Sequence, residues 1–482
     1  MDMAGARASR LGAVAVFCGL LAATMLVRWQ TLGDPVLGFD EQYYLLVGER
    51  MLHGAVPYVD LWDRKPIGLF LIYALAAAMG SDPFLQYKLL AGAFVAMTAF
   101  VIYRAALARA SRFAAMTAAL LYVLWLNFME GEGGQSPVFY NLPVLLAALV
   151  TQAALGDRDR LLARGGLAMG LIGLALQIKY TAVFEGLFFG LALLWAKWRA
   201  DGLGGSLIGH GLVWIACALA PTGLALAAFA ARGQAEAFVF ANFLSIFGRL
   251  PDPLGDQLGG LAAIVGILLL PAIPAVLAWR QERKLDFMRM WALAAVAGIA
   301  AIGNFLSPSY ALPLLAPLFL CAAPYFDRAR RGRIVAVGLV LLGLVAGQFV
   351  VAQVIRGKGN RAEALAVAAA ARPTGGGCIW VYDGYPALYL LTGSCVPTKW
   401  AFPGHLNTAN ENSPQAIGVD PVTEVRRILA TRPEAIVDDF PVYRLGNPDT
   451  RRIVAAELAR NYRLVARVRT GGARYRLIYR RK

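Results

Sequence analysis

The sequence predicts an all-α, polytopic membrane bundle of about eleven transmembrane helices. Interfacial helices occupy its first outer loop, and a small extracytoplasmic α/β domain follows the bundle. Two observations predict it. Over 482 residues, 59% are hydrophobic and only 16% are charged, whereas a soluble chain of this size usually carries about a quarter charged residues. The uncharged runs also recur at the length that a hydrocarbon core of about 30 Å requires, about 20 residues at 1.5 Å rise.

The first run, LGAVAVFCGLLAATMLV, has no charge between Arg10 and Arg28 and no small-residue cleavage site after it, so it reads as a retained signal-anchor. Further runs lie at about 85–103, 113–129, 135–156, 211–231, 257–279 and 334–355. Two longer runs must be split. From Met290 to Phe326 there is no charge, and one helix of that length would be nearly twice the core thickness, so NFLSPS at 304–309, with Pro308, is the natural break. The run 165–196 holds Lys179, which a single span would place in hydrocarbon at a cost of about 3 kcal/mol. Two short spans meeting near Lys179 avoid that cost.

Charge then sets the sides. With the N-terminus cytoplasmic, the inner segments hold 18 Lys and Arg, including Arg7, Arg10, Arg283 and Lys284, against 8 on the outer segments. The outer positives are Arg28, Arg50, Arg64, Lys65, Lys88, Lys179, Arg232 and Arg249. The division is residues 1–355 as membrane domain, with outer loop 29–84, and 356–482 as soluble domain. The latter carries strand-like runs at 378–383, at 434–439 and twice near the end, with helical patterns at 421–431 and 449–460. It holds 20 Lys and Arg against 10 Asp and Glu. On the outer side of a membrane such a balance addresses anionic lipid or polysaccharide rather than nucleic acid.

The first outer loop carries the chemistry. GFDEQYYLLVGERMLHG at 38–54 places Tyr44, Val47, Gly48 and Met51 at helical spacing, with Gln42, Glu49, Arg50 and His53 opposite. It reads as an amphipathic surface helix with Asp40 at its N-cap. A second helix follows Pro66. Together they carry Asp40, Glu41, Asp60, Asp63, Arg64 and Lys65 along one headgroup plane. Capping would suffice for Asp40, and snorkelling for Arg64 and Lys65. Carboxylates that accept a proton, cations that hold a phosphate and an apolar surface for a lipid tail are the three parts a reaction on a lipid phosphate needs.

The pattern DE-x-x-Y, a helix ending in ML-x-G, then PY, then KP before an apolar helix closed by MG resembles the first outer loop of the polyprenyl-phosphate-sugar glycosyltransferases of the GT-C class. Within it the likeness is to family 39, which includes the aminoarabinose transferase that modifies lipid A and the protein O-mannosyltransferases. It is strongest over residues 11–200. The resemblance implies an inverting transfer from a polyprenyl-phosphate sugar to a hydroxyl on a lipid, glycan or protein, in the cytoplasmic (inner) membrane, with residues 356–482 periplasmic. It implies Asp40 as base, Glu41 as its neighbour or an acceptor-orienting group, and Arg64 with Lys65 as the clamp on the departing phosphate. Tyr44 falls at the family's tyrosine and Lys179 at a phosphate-facing lysine. The family's second Asp, near the fourth span, is missing from MEGEGGQSPVFYNLP; Glu130, Glu132 and Asn141 stand there, and Glu132 is the candidate to take over.

Other chemistries lack their motifs: there is no G-x-x-x-x-G-K-[ST], H-E-x-x-H or C-x-x-C. PTGGGC at 373–378 reads as a flexible joint rather than a phosphate loop. No resident cofactor is legible, although Asp40, Glu41 and Asp63 have the ligand chemistry to share a divalent cation. Cys378 and Cys395 are both outside, where a disulfide is permitted. A lipid flippase is the competing class, set back by the absence of a visible inverted repeat and by a polar cluster at the surface rather than mid-membrane.

Overall fold

The computed structural model describes residues 3–282 and 285–482, with side chains from residue 11. Of the basic residues counted inside, Arg7, Arg10, Arg283 and Lys284 therefore lie outside the described side chains. All eleven predicted spans form helices. Eight helical segments among the described residues are long and apolar enough to cross a membrane, from Leu11–Thr31 to Ala329–Ala371. The other three predicted spans, Arg112–Phe128, Leu161–Leu176 and Phe287–Ile302, are shorter. At 16 residues a helix reaches about 24 Å, so the count of eleven crossings is not established by length.

Both splits fall where the sequence placed them. The helix Phe287–Ile302 stops at Gly303, whose φ of 63° ends it in the left-handed region, and Pro308–Leu314 resumes as a 3₁₀ turn before Leu315–Phe326. Leu161–Leu176 ends before Lys179, and Val183–Asp201 starts after a 3₁₀ turn at Tyr180–Ala182.

The chain divides into two compact units, Met1–Leu32 with Lys88–Leu224 and Leu254–Val351, and Gly33–Tyr87 with Ala225–Pro253 and Ala352–Lys482. In the first unit, two cations counted as outer-loop charges are buried anchors. Arg28, 2% exposed, donates to the carbonyls of Gly131 and Gly133, and Lys88, 1% exposed, donates to Thr31 O at 2.7 Å. Each cation meets peptide dipoles where water is absent, which is how a buried charge is tolerated.

The second unit joins three segments that the charge count assigns to one side. Its sheet has order β1-β2-β4-β3, with β1 Ile379–Val381, β2 Ala435–Phe440, β3 Tyr462–Thr470 and β4 Arg474–Arg481. β1 and β2 are parallel, and β4 is antiparallel to both β2 and β3. Helices Pro421–Ala430 and Pro448–Asn461 stand where their patterns placed them, capped by Asp420 and Asn447. Cys378 and Cys395 form a disulfide, Cα–Cα 4.9 Å.

The PTGGGC segment is a correction. It is not a free joint: the amides of Thr374, Gly375 and Gly377 all donate to the Glu434 carboxylate. Those amide hydrogen bonds, with one from the Thr374 hydroxyl, hold the Glu434 pKa down at about 2. The stabilisation is therefore complete above the ordinary glutamate range, near pH 4.5, and is lost as pH falls towards 2. Glu434→Gln should lower the melting temperature of the full chain by a few degrees at neutral pH, with the gap from wild type closing in scans taken down to pH 3. An equal gap at both pH values would contradict this.

Candidate active site

The Phe39–Leu52 helix opens from Gly38, whose φ of 78° makes it the N-cap. Asp40 is thus inside the first turn rather than at the cap, because the left-handed entry that the chain needs here suits glycine. The helix is also not a surface-lying amphipathic one. Every residue from Glu41 to Gly48 is buried, including Gln42 on the predicted polar side. Gln42 donates to Val36 O at 2.7 Å and accepts from Ala387 N at 3.3 Å. Its amide is satisfied by a segment 345 residues away that no periodicity reveals. On the opposite side, Gly48 lies against Tyr73 and Ala74 of helix Ile67–Ala78, where a Cβ would collide with backbone.

The two carboxylates of the DE pair have different surroundings. Glu41 is 1% exposed, packs beneath Gly38 and shares a hydrogen bond with the Tyr87 hydroxyl. Asp40 is only partly buried, and its Oδ2 accepts from Tyr44 Oη at 3.2 Å. One turn along the same helix, Tyr44 is fully buried, and Lys65 Nζ lies 5.6 Å from its ring centroid. Burial first, and then Asp40 and Asp63, hold the Tyr44 hydroxyl well above its usual pKa, so it stays a donor to Asp40.

The segment that presents Lys65 is rigid. Tyr58, at φ 70°, donates from its amide to Leu61 O at 2.7 Å and from its hydroxyl to Lys65 O at 2.9 Å. Its ring packs against Phe70, Phe229 and Phe238. Asp63 is buried, accepts from Arg64 N at 2.6 Å, and has its pKa raised by burial, with Lys65 opposing and Asp40 adding to the rise.

Arg64 is committed to protein partners. It donates to Glu411 Oε2 at 2.8 Å and to the carbonyls of Glu411 and Ala416, each at 3.1 Å, while Arg249 takes the other Glu411 oxygen. Two guanidinium groups share one carboxylate, so this node keeps a net positive charge beside Lys65. His405 is buried against Trp62 at 4.7 Å between ring centroids. Burial, then Arg64 and Lys65, hold its pKa well below the usual range, so it is neutral. Neither Glu411 nor His405 carried a local signal in the sequence.

Asp40, Glu41, Tyr44, Arg64 and Lys65 thus belong to the second unit, and Glu132 and Lys179 to the first. Glu132 is 7% exposed and so is not in a solvated loop; its carbonyl accepts from Thr31 at 3.4 Å, between the two glycines that Arg28 holds. Glu130 has φ 56° and its carboxylate accepts from the Ser307 hydroxyl. Asn141 donates to the Tyr122 hydroxyl at 3.3 Å. Lys179 Nζ lies 3.8 Å from the Tyr310 ring centroid, beside a cavity with room for about one water, lined by Tyr140, Thr181, Glu185 and Tyr310 among others. Among the described residues no three His, Cys, Asp or Glu side chains converge as a metal-ligand group. Of the three carboxylates with the ligand chemistry to share a cation, Glu41 is turned to Tyr87 and Asp63 to the Arg64 amide.

No family model matches this chain, and no curated protein sequence matches it. Solved structures do. ArnT from Cupriavidus metallidurans in its apo state superposes over 98% of this chain and 98% of that one, with TM-score 0.64 and 15% identity. The same protein bound to undecaprenyl phosphate gives TM-score 0.60 and 16% identity over 97% and 98%. AglB, an oligosaccharyltransferase from Archaeoglobus fulgidus, in complex with an inhibitory peptide and a dolichol-phosphate, gives 0.51 and 12% over 89% and 70%. The class is a multi-pass membrane protein of the GT-C fold. Within that class its architecture is similar to that of ArnT from Cupriavidus metallidurans along nearly the whole of both chains.

Glu411→Ala should leave Arg64 and Arg249 as adjacent, uncompensated cations whose side chains are only 13% and 23% exposed. Losing the partner of a buried pair typically costs about 3–5 kcal/mol. The full chain should melt several degrees lower, and Arg249→Gln added to Glu411→Ala should recover part of the loss; equal melting of wild type and Glu411→Ala would contradict the assignment.

Proposed function

We propose that this chain is an integral membrane glycosyltransferase that moves a sugar from a polyprenyl-phosphate donor to an acceptor hydroxyl, with inversion at the anomeric carbon. The observation that carries the reading is the convergence of Asp40, Tyr44 and Lys65 on a chain with the GT-C fold. Support for the donor class comes from the lipid phosphates held by the ArnT and AglB structures.

In this reading the Asp40 carboxylate takes the proton from the acceptor hydroxyl. The acceptor oxygen bonds the anomeric carbon from the face opposite the phosphate, and the carbon–oxygen bond to the phosphate breaks with its electron pair on the leaving oxygen. Tyr44 fixes the rotamer of Asp40 through its hydrogen bond. Lys65, with the net positive charge of the Arg64–Arg249–Glu411 node, balances the departing phosphate. Glu41 anchors the helix start that carries Asp40, and Glu132 and Lys179 of the first unit are further candidate residues. The acceptor hydroxyl belongs to a lipid, an envelope glycan or a protein. The protein works in the inner membrane with its N-terminus cytoplasmic, residues 1–355 as the membrane domain and 356–482 periplasmic.

The direct test offers purified protein in nanodiscs a mixture of polyprenyl-phosphate sugars with candidate acceptors and scores the donors by mass spectrometry. One donor should lose its sugar to an acceptor, and Lys65→Ala should raise its KM about tenfold or more while leaving the fold intact. A polyprenyl lipid that binds without turnover and crosses a vesicle bilayer would transfer the reading to a flippase.

A further inference from the structure

The segment Tyr462–Lys482, which forms β3, the turn and β4, holds eight Lys and Arg and no Asp or Glu. Some of that charge is used internally. Arg474 and Arg476 pair with Asp439, and Arg480 pairs with Glu434. Arg463, Arg467 and Arg469, all on the edge strand β3 and all exposed, have no carboxylate partner among the described residues. The Arg467 guanidinium lies 4.0 Å from the Tyr475 ring centroid and 5.5 Å from that of Phe440, so stacking holds it extended over the sheet with its N–H edges open. Apolar side chains are interleaved with these cations. A register shift between Leu464 and Ala466 leaves Leu464 50% and Val465 40% exposed, and Phe440 is 47% exposed.

The turn of the hairpin is anchored at the end of a long helix. Its turn residue Gly471, at φ 63°, sits against the Gly357 carbonyl with no space for a Cβ, and its amide donates to Glu363 Oε2 at 2.9 Å. Tyr385 Oη donates to Lys358 O at 2.7 Å. Gly357 and Lys358 are the last residues of the helix Ala329–Lys358, part of a segment apolar and long enough to cross the membrane. The turn is thus seated at the C-terminal end of that helix, whose last turn also carries Arg356 and Lys358.

We propose that the β3–β4 hairpin is a docking surface for the anionic phospholipid headgroups of the membrane in which the chain lies. Arg467 and Arg469 meet the phosphates, and Leu464 and Phe440, which share their face of the sheet by register, enter the boundary between headgroups and acyl chains. A soluble acidic polysaccharide would engage the arginines but offers nothing to two exposed apolar side chains, whereas an anionic bilayer surface takes both.

The test uses the full chain in nanodiscs, one set of phosphatidylcholine alone and one containing phosphatidylglycerol, and reads hydrogen exchange over residues 462–482. Exchange should be several-fold slower in the anionic discs. The protection should fall at high salt, disappear in Arg467→Gln/Arg469→Gln, and persist in the corresponding double Lys variant. Equal exchange of the wild type in the two lipids would overturn the proposal even if the Gln variant failed to fold. So would protection by added pectate in phosphatidylcholine discs without any from phosphatidylglycerol.

Discussion

The hydrogen bond between Tyr44 and Asp40 is the contact on which the candidate site depends. It links residues one turn apart on a helix whose middle is buried on all sides, so the carboxylate inherits the rigidity of the packing beneath it. That packing requires Gly48, where helix Ile67–Ala78 comes within backbone contact. The same close approach brings the Asp63–Lys65 segment to the Tyr44 ring. A carboxylate and an ammonium are thereby held on either side of one phenol. An arrangement that is fixed before substrate arrives needs no reorganisation during the reaction.

Charge pairing sets the candidate cluster apart from other parts of the second unit. Several acidic side chains of the unit are paired with arginines: Glu411 with two, Asp438 with Arg451, and Asp439 with Arg474 and Arg476. His405 is kept neutral in an aromatic surround by burial and by the cations next to it. Asp40 stands apart from these, partly exposed and held by a neutral hydroxyl rather than a cation.

Much of the architecture was legible because it rests on local rules. Uncharged runs gave the spanning helices, Pro308 and Lys179 gave their breaks, and alternation with Gly and Pro boundaries gave all four strands. The candidate site reads as a motif in the sequence, but its geometry does not. Asp40 reads as an N-cap because Asp is a preferred cap, yet Gly38 takes the position through its positive φ. Gln42 reads as solvent-facing because helical periodicity cannot register a covering segment some 345 residues later. The Arg64–Glu411 pair, separated by 347 residues, is invisible for the same reason. Arg28 and Lys88 count as loop charges in the sequence and are buried carbonyl-binding anchors in the fold.

The central claim is that Asp40 acts on the proton of an acceptor rather than on the binding of the donor. Its most direct test compares wild type with Asp40→Asn, measuring polyprenyl-phosphate-sugar binding and sugar transfer on the same nanodisc preparations. The substitution removes the base while changing little volume, so donor binding should stay within a few-fold of wild type and transfer should fall by about 100-fold or more. Full transfer by Asp40→Asn would remove Asp40 from the chemistry, and loss of donor binding in step with transfer would make it a binding group instead.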